Sequence, residues 1–161
     1  MTACPVGGER PLTAGERALV RSVFGDAIDC DRVRIKRRRW HPLQPARITM
    51  APTGHLHFPP GSPAYCEDFG MAELGRQGLF VHEMTHVWQT QQRGKFYLPL
   101  MRHPFCRYDY VLEPGRPLDR YGIEQQAEIV RHAFLLEQGG AVAEAAPLAS
   151  YRAIMPFKPQ S

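Results

Sequence analysis

Apolar side chains recur with helical spacing in the first part of the chain, at Leu19, Val20, Val23 and Phe24. Thr13 and Glu16 precede them in the S/T-x-x-E arrangement of a capping box, in which each side chain binds a free backbone N–H group. Gly25 follows the last apolar position, where a glycine commonly ends a helix. The pattern therefore predicts a helix from about residue 13 to residue 24.

A period of two replaces the helical pattern over residues 31–40. Val33 and Ile35 alternate there with charged residues, which predicts a strand with a solvated outer face. A hairpin is expected next, with arms at residues 47–50 and 55–58. The intervening residues 52–54 (Pro-Thr-Gly) supply its turn.

Residues 59–63 follow the hairpin and contain three prolines, so a loop is expected there. Within the second arm, His55 and His57 alternate with apolar residues and would share one face. We interpret these two histidines as polar residues of an edge strand and not as metal ligands.

The longest helical pattern covers about residues 71–92 and carries an apolar stripe too broad for a surface helix. The stripe consists of Leu74, Val81, Met84, Val87 and Trp88. This helix is therefore expected to be central. A second helical pattern covers residues 122–138, and the Ala-rich stretch after it predicts a short helix. Residues 95–117 form a long aromatic-rich connection of a kind that is usually functional.

These elements predict an α+β fold in one domain over residues 1–161, with frayed ends at about 1–11 and 156–161. A chain of 161 residues suits one compact domain. No apolar run approaches the ~20 residues that cross a bilayer, and the N-terminus lacks the features of a secretory signal. We therefore expect no membrane association, and either a cytoplasmic protein or one exported by a specialised secretion system.

Charge and cysteine content narrow the function only slightly. Lys and Arg exceed Asp and Glu by 20 to 16, with much of the excess in residues 34–39. Such a run can bind phosphate, but a solvated strand face explains it and no recognised nucleic-acid motif accompanies it, so we expect no nucleic-acid partner. The four cysteines lie far apart, which excludes a zinc ribbon and favours free thiols.

The central helix carries the sequence H-E-x-x-H at residues 82–86. Histidines at i and i+4 project from one face of a helix, so His82 and His86 can reach the same tetrahedral cation. Glu83 lies about 100° round the helix, where it can accept a proton from an activated water. The alternative is two buried histidines without a metal, but unpaired polar groups in an apolar core are costly. We therefore expect Zn²⁺, with Glu83 as the general base.

A catalytic zinc site of this kind needs a third protein ligand. Glu124 and Glu128 lie one turn apart on the second helix and share a face, so either could approach the two histidines. The alternative is an ordinary solvated acidic face. Burial is favoured by the apolar neighbours Ile123, Ala127, Ile129, Val130 and Phe134.

The two helices together resemble the gluzincins, in which HExxH is paired with a later E-x-x-A-D or E-x-x-x-D motif. That resemblance implies that Glu124 is the third zinc ligand. It also implies that Glu128, standing where the family usually has Asp, orients a zinc-bound histidine. A transition-state donor of the family's usual kind is not evident, and Tyr121, one turn before Glu124, is the candidate.

Further segments resemble the minimal Vgr-related peptidases encoded beside Vgr, Rhs and contractile injection genes, namely residues 22–28, 46–50, 55–61 and 79–89. The resemblance covers about residues 12–134 and implies a zinc metallopeptidase that acts on a peptide or protein and belongs to a secretion system. In zincins an edge strand beside the metal helix binds substrate, and residues 55–58 are the expected strand here. Two alternatives stay open: a metal-binding accessory module without turnover, and a hydrolase of other amides.

Overall fold

A three-stranded sheet and five α-helices make up the computed structural model, which describes residues 3–158. The strands are β1 (Glu9–Pro11), β2 (Arg34–Lys36) and β3 (Leu56–His57). The helices are α1 (Ala14–Phe24), α2 (Leu74–Arg93), α3 (Tyr97–Met101), α4 (Ile123–Glu137) and α5 (Leu148–Ile154). The expected small α+β architecture is confirmed.

Helix α1 begins with the predicted capping box. The Thr13 hydroxyl accepts a hydrogen bond from the Glu16 amide at 3.0 Å, and the Glu16 carboxylate accepts one from the Thr13 amide at 2.9 Å. The helix ends at Phe24, and Gly25 follows it with a φ of 57°. A positive φ of this kind is one that glycine adopts without strain.

Helix α2 begins later than the sequence pattern predicts. The Glu73 side chain accepts hydrogen bonds from the amides of Gly75 and Arg76, which fixes the start of the helix at Leu74. Residues 69–71, just before it, form a 3₁₀ turn instead. The prediction for α4 was correct to within one residue at each end.

Helices α2 and α4 pack against each other in antiparallel directions. Gly78 near the start of α2 faces Leu135 near the end of α4, whereas His86 lies beside Glu124 at the start of α4. A Cβ atom at position 78 would lie 3.1 Å from Leu135 Cδ2, so the glycine lets the two helices approach closely. This packing brings the HExxH residues face to face with the two glutamates of α4.

The predicted strand over residues 31–40 forms only in part. Asp29 accepts a hydrogen bond from the Asp31 amide and starts a 3₁₀ turn, so the paired strand β2 begins at Arg34. It pairs antiparallel with β1 and parallel with β3. The alternation was predicted correctly, because Val33 and Ile35 are fully buried.

The hairpin contact is confirmed, and β3 is the last strand of the sheet, as the edge-strand interpretation of residues 55–58 expects. Met50 and His57 form an antiparallel bridge through two backbone hydrogen bonds of 2.8 and 3.2 Å. Strand β3 pairs with β2 on one side, and on its outer side Met50 pairs with it at His57. His57 is buried, and only His55 stays half exposed.

A stack of phenylalanine rings connects the hairpin to α2. Phe69 stacks on Phe58 and on Phe80, with ring centroids 5.5 and 5.1 Å away. The terminal stretches expected to fray also contain ordered contacts, since residues 9–11 form β1 and Phe157 packs on Phe24. Residues 1–2 and 159–161 lie outside the described range.

Within residues 3–158, no helix combines the length and apolarity that a membrane crossing requires. The four cysteines, all inside this range, are unpaired as expected.

Candidate metal centre

Two histidines of α2 and one glutamate of α4 converge on a common point. One ligand atom each of His82, His86 and Glu124 lies within 4.8 Å of the others. The distances from Glu124 Oε2 are 3.1 Å to His86 Nε2 and 3.4 Å to His82 Nε2. Ligands bonded to zinc at ~2.0 Å in a tetrahedron lie about 3.3 Å apart, so these atoms fit a zinc ion.

The second nitrogen of each imidazole is held by an oxygen atom. His82 Nδ1 lies 2.7 Å from Glu128 Oε1, and His86 Nδ1 lies 2.8 Å from Gln89 Oε1. Because an ionised carboxylate and an amide oxygen accept hydrogen bonds, both Nδ1 atoms carry the proton. The Nε2 atoms of both rings are thereby directed at the common point, where a ring can carry either a second proton or a metal.

Gln89 is itself fixed by the start of α4. Its amide group donates to the Ile123 carbonyl and to the Gln126 side chain, both at 3.0 Å. Gln89 is a residue that the sequence analysis missed. Its position three residues after His86, on the same helix face, is the signal that could have identified it.

The structure brings together the residues that the resemblance singled out. Glu124 faces the Nε2 atoms of both histidines, whereas Glu128 contacts the opposite side of the His82 ring. This arrangement corresponds to one carboxylate suited to a metal and one suited to orienting a ligand.

The acidic residues give the centre a strong attraction for positive charge. Burial lowers the pKa of His82, but its hydrogen bonds with Glu124 and Glu128 outweigh burial and raise the pKa to about 9. Burial raises the pKa of both glutamates, and hydrogen bonds with the histidines then hold each pKa well below its usual range. The same attraction acts on a proton or on a metal cation.

Glu83 lies beside this centre and is 5% exposed. Burial raises the pKa of its carboxyl group, and the neighbouring Glu124 raises it too, although His82 and His86 act in the opposite direction. A buried carboxylate with a raised pKa is suited to accepting a proton.

The segment between α3 and α4 contributes two further side chains to the centre. Arg102 Nη2 lies 3.1 Å from Glu124 Oε1, and its charge also acts on Tyr108. The Tyr108 ring lies nearly parallel to the His82 ring, with centroids 6.3 Å apart, and it is half exposed. No sequence motif identifies these residues, because they reach the centre only through the course of a long irregular segment.

The side chain of Tyr121, the candidate transition-state donor, makes its contacts within the loop before α4. Its hydroxyl accepts a hydrogen bond from the Glu113 amide at 2.9 Å, and its ring packs under the Arg116 guanidinium. The side chain is buried and holds the loop before α4 in place. Tyr108 is instead the tyrosine that lies beside a predicted ligand.

Comparison with known proteins gives two matches, and no model of a protein family matches the chain. Over 133 residues it is 43% identical to the type VI secretion system spike protein VgrG2b of Pseudomonas aeruginosa strain PAO1. That alignment covers 78% of this chain but only 13% of the spike protein. The solved effector domain of P. aeruginosa VgrG2b superimposes with a TM-score of 0.71 at 37% identity, covering 95% of this chain and 85% of that one.

Proposed function

The chain belongs to the family of the VgrG2b effector domain, and on that premise we propose that it is a zinc-dependent hydrolase associated with a type VI secretion system. A peptidase of the gluzincin type is the specific activity proposed. The observation that carries the proposal is the convergence of His82, His86 and Glu124 beside the buried carboxylate of Glu83. The association with secretion rests on the name of the relative.

His82, His86 and Glu124 are the residues that would hold the metal. Bound zinc makes a water molecule more acidic and polarises a carbonyl group. Glu83 accepts the proton of the attacking water on its carboxylate and delivers it to the leaving amine.

Negative charge that develops on the substrate carbonyl oxygen needs a nearby donor. We assign this role to Tyr108, with Arg102 beside it, because these side chains lie next to His82 and Glu124. Fixed donors aimed at developing charge commonly contribute a large part of an enzyme's rate enhancement. Tyr108→Phe should therefore lower kcat more than it changes KM.

Glu83→Gln tests the proposal most directly. The amide has nearly the shape of the carboxylate but cannot take a proton, so turnover should fall by about 10²–10⁴-fold. The metal content and the unfolding midpoint should stay close to those of the parent. Glu137→Gln, the same change at an exposed end of α4, is the matched control and should leave turnover intact.

The assay should include unfolded casein, peptidoglycan fragments and a chelator-treated sample of each variant. Zinc-dependent cleavage of peptidoglycan alone would replace the peptidase with a hydrolase of other amides. One bound zinc with no turnover on either substrate would favour the metal-binding accessory module. Absence of zinc from the purified protein, together with no uptake on titration, would contradict the metalloenzyme altogether.

The secretion-system part has its own test. An epitope-tagged chain should leave cells that have a working type VI apparatus and stay inside cells whose contractile sheath is deleted. Equal export from both strains would separate this chain from that machinery.

A further inference from the structure

Glu128 contacts more than the metal-binding histidine. Its Oε1 atom lies 2.7 Å from His82 Nδ1 and 3.3 Å from the Arg131 guanidinium, and its Oε2 atom lies 3.2 Å from His132 Nε2. Arg131 and His132 follow Glu128 by three and four residues, so they lie over it on the same helix face. The carboxylate is thus held from two sides.

This restraint answers a specific problem. A glutamate has one more rotatable bond than an aspartate, so its carboxylate can adopt more orientations around the imidazole it should hold. Ordering a long side chain carries an entropy cost that neighbouring hydrogen bonds must offset. His132 fixes the oxygen that His82 does not use.

A chain of hydrogen bonds continues beyond His132. Its Nε2 atom forms an ion-pair contact with the Glu128 carboxylate at 3.2 Å, so a ring proton is favoured on Nε2 and Nδ1 is then the acceptor. The Tyr110 hydroxyl lies 2.6 Å from this Nδ1 and therefore donates to it. The Tyr151 hydroxyl of α5, 2.8 Å from Tyr110, donates in turn. Every hydroxyl and ring nitrogen in this series then has a consistent role, and the series ends at His82.

We propose that Tyr110 and His132 are positioning residues that hold Glu128 in the orientation needed to present His82 to zinc. The inference rests on the proposed function and extends it. Tyr110 belongs to the same segment as Arg102 and Tyr108. Metal affinity and the placement of that segment over the centre are consequently coupled through one hydrogen-bond series.

The test measures zinc affinity of the full chain by competition with a chelator. Tyr110→Phe removes the hydroxyl but keeps the ring, and it should weaken zinc binding by about 3- to 10-fold, less than the loss of a residue that touches a ligand directly. Tyr97→Phe, the same change at a half-buried tyrosine of α3, is the matched control and should bind zinc like the parent.

Two further comparisons separate positioning from a general structural effect. In a Glu128→Ala background, Tyr110→Phe should cause no additional loss, because the carboxylate it acts through is gone. His132→Gln, which can still donate to Glu128 and accept from Tyr110, should retain more affinity than His132→Leu.

The outcomes distinguish this inference from the function it extends. A parent protein that binds no zinc would overturn the proposed function itself. If Tyr110→Phe binds zinc as tightly as the parent, only the positioning role is overturned. The same holds if Tyr110→Phe lowers zinc affinity as much in the Glu128→Ala background as it does in the parent.

Discussion

Two buried glutamates of this protein are partnered in opposite ways. Glu16, at the start of α1, is fully buried, and both of its oxygens accept two hydrogen bonds. The donors are the Arg10 guanidinium at 2.8 and 2.9 Å, the Thr13 amide at 2.9 Å and the Phe69 amide at 3.0 Å. All four acceptor positions of the carboxylate are filled by the protein.

Glu124 is equally buried, at 1% exposed, but its surroundings are incomplete. Its Oε2 atom is shared by two imidazole Nε2 atoms, and each of these donates to it only when its ring carries a second proton. Its Oε1 atom lies near Arg102 without forming a well-directed hydrogen bond. The difference teaches that a structural carboxylate is saturated by donors, whereas the candidate ligand keeps an oxygen, Oε1, without a hydrogen-bond partner among the described residues.

The largest expected effect is on zinc affinity, which should depend on Glu124 and not on Glu16. Glu124→Ala should remove tight zinc binding, because a site with two ligands loses both the charge and the geometry of the third. Titration with zinc against a chelator measures this, and Glu137→Ala on the same helix is the control. Retained tight binding in Glu124→Ala would show that Glu128 or another group is the true ligand.

The second expected effect is on the free energy of unfolding, which should depend more on Glu16 than on Glu124. Glu16→Ala leaves the Arg10 guanidinium, whose side chain is only 11% exposed, without its partner, and breaking a buried pair costs about 3–5 kcal/mol. Urea unfolding of the metal-free protein should show this loss, and Glu124→Ala should lose less. Glu9→Ala, which breaks an exposed pair with Arg38, should cost at most about 1 kcal/mol.

Zinc binding provides the complementary readout for Glu16. If Glu16→Ala folds, its zinc affinity should equal that of the parent. If Glu16→Ala does not fold, the milder variant Glu16→Gln is used for the same measurement. A selective loss of zinc affinity in either variant would break the distinction between the two carboxylates.

Part of this contrast could be predicted from the sequence, and part could not. The capping box identified Thr13 and Glu16, and the H-E-x-x-H spacing identified the faces of α2, because both depend on neighbours within one helical turn. Arg10 and the Phe69 amide reach Glu16 from separate segments. A local sequence pattern cannot predict contacts between segments that are distant in the chain. For the same reason it did not predict that Arg102 and Tyr108 lie beside the candidate centre.

The sheet shows the same limit. Alternation predicted correctly that Val33 and Ile35 are buried, because it depends only on which face each residue takes. Alternation does not specify which strands become neighbours, so it could not predict that β3, the last strand of the sheet, pairs in parallel with β2. Burial patterns are local properties, whereas strand order depends on the whole chain.

A smaller effect is expected at Glu128. Glu128→Ala should weaken zinc binding by about 10–100-fold, since His82 would keep its Nε2 atom but lose the partner that fixes its ring. If chelator competition shows that Glu128→Ala loses more zinc affinity than Glu124→Ala, the roles of the two glutamates are reversed. Equal affinity of Glu128→Ala and the parent would show that the His82 ring is held by its packing alone.

The smallest effect concerns His57, a third buried polar residue, whose Nδ1 atom has no partner among the described residues. Because no other metal-binding side chains converge on this atom, we do not interpret it as a binding site. We expect it to lower the stability of the folded protein at low pH. Burial, with help from the charge of Lys36, lowers the pKa of His57 to about 4 from its ordinary value of 6.5. The neutral ring is therefore favoured in the folded protein.

The sign of the pH effect follows from that lowered pKa. The contribution of His57 to stability is fully present above pH 6.5 and is lost as pH falls through about 4. His57→Gln cannot take up a proton, so its free energy of unfolding should fall less than that of the parent between pH 7 and pH 4.5. His103→Gln, which removes an exposed imidazole, should follow the parent. If His57→Gln and the parent lose stability in parallel as pH falls, protonation of His57 does not oppose folding. A buried polar atom without a partner would then be weak evidence for a local energetic cost, at His57 and at Glu124 alike.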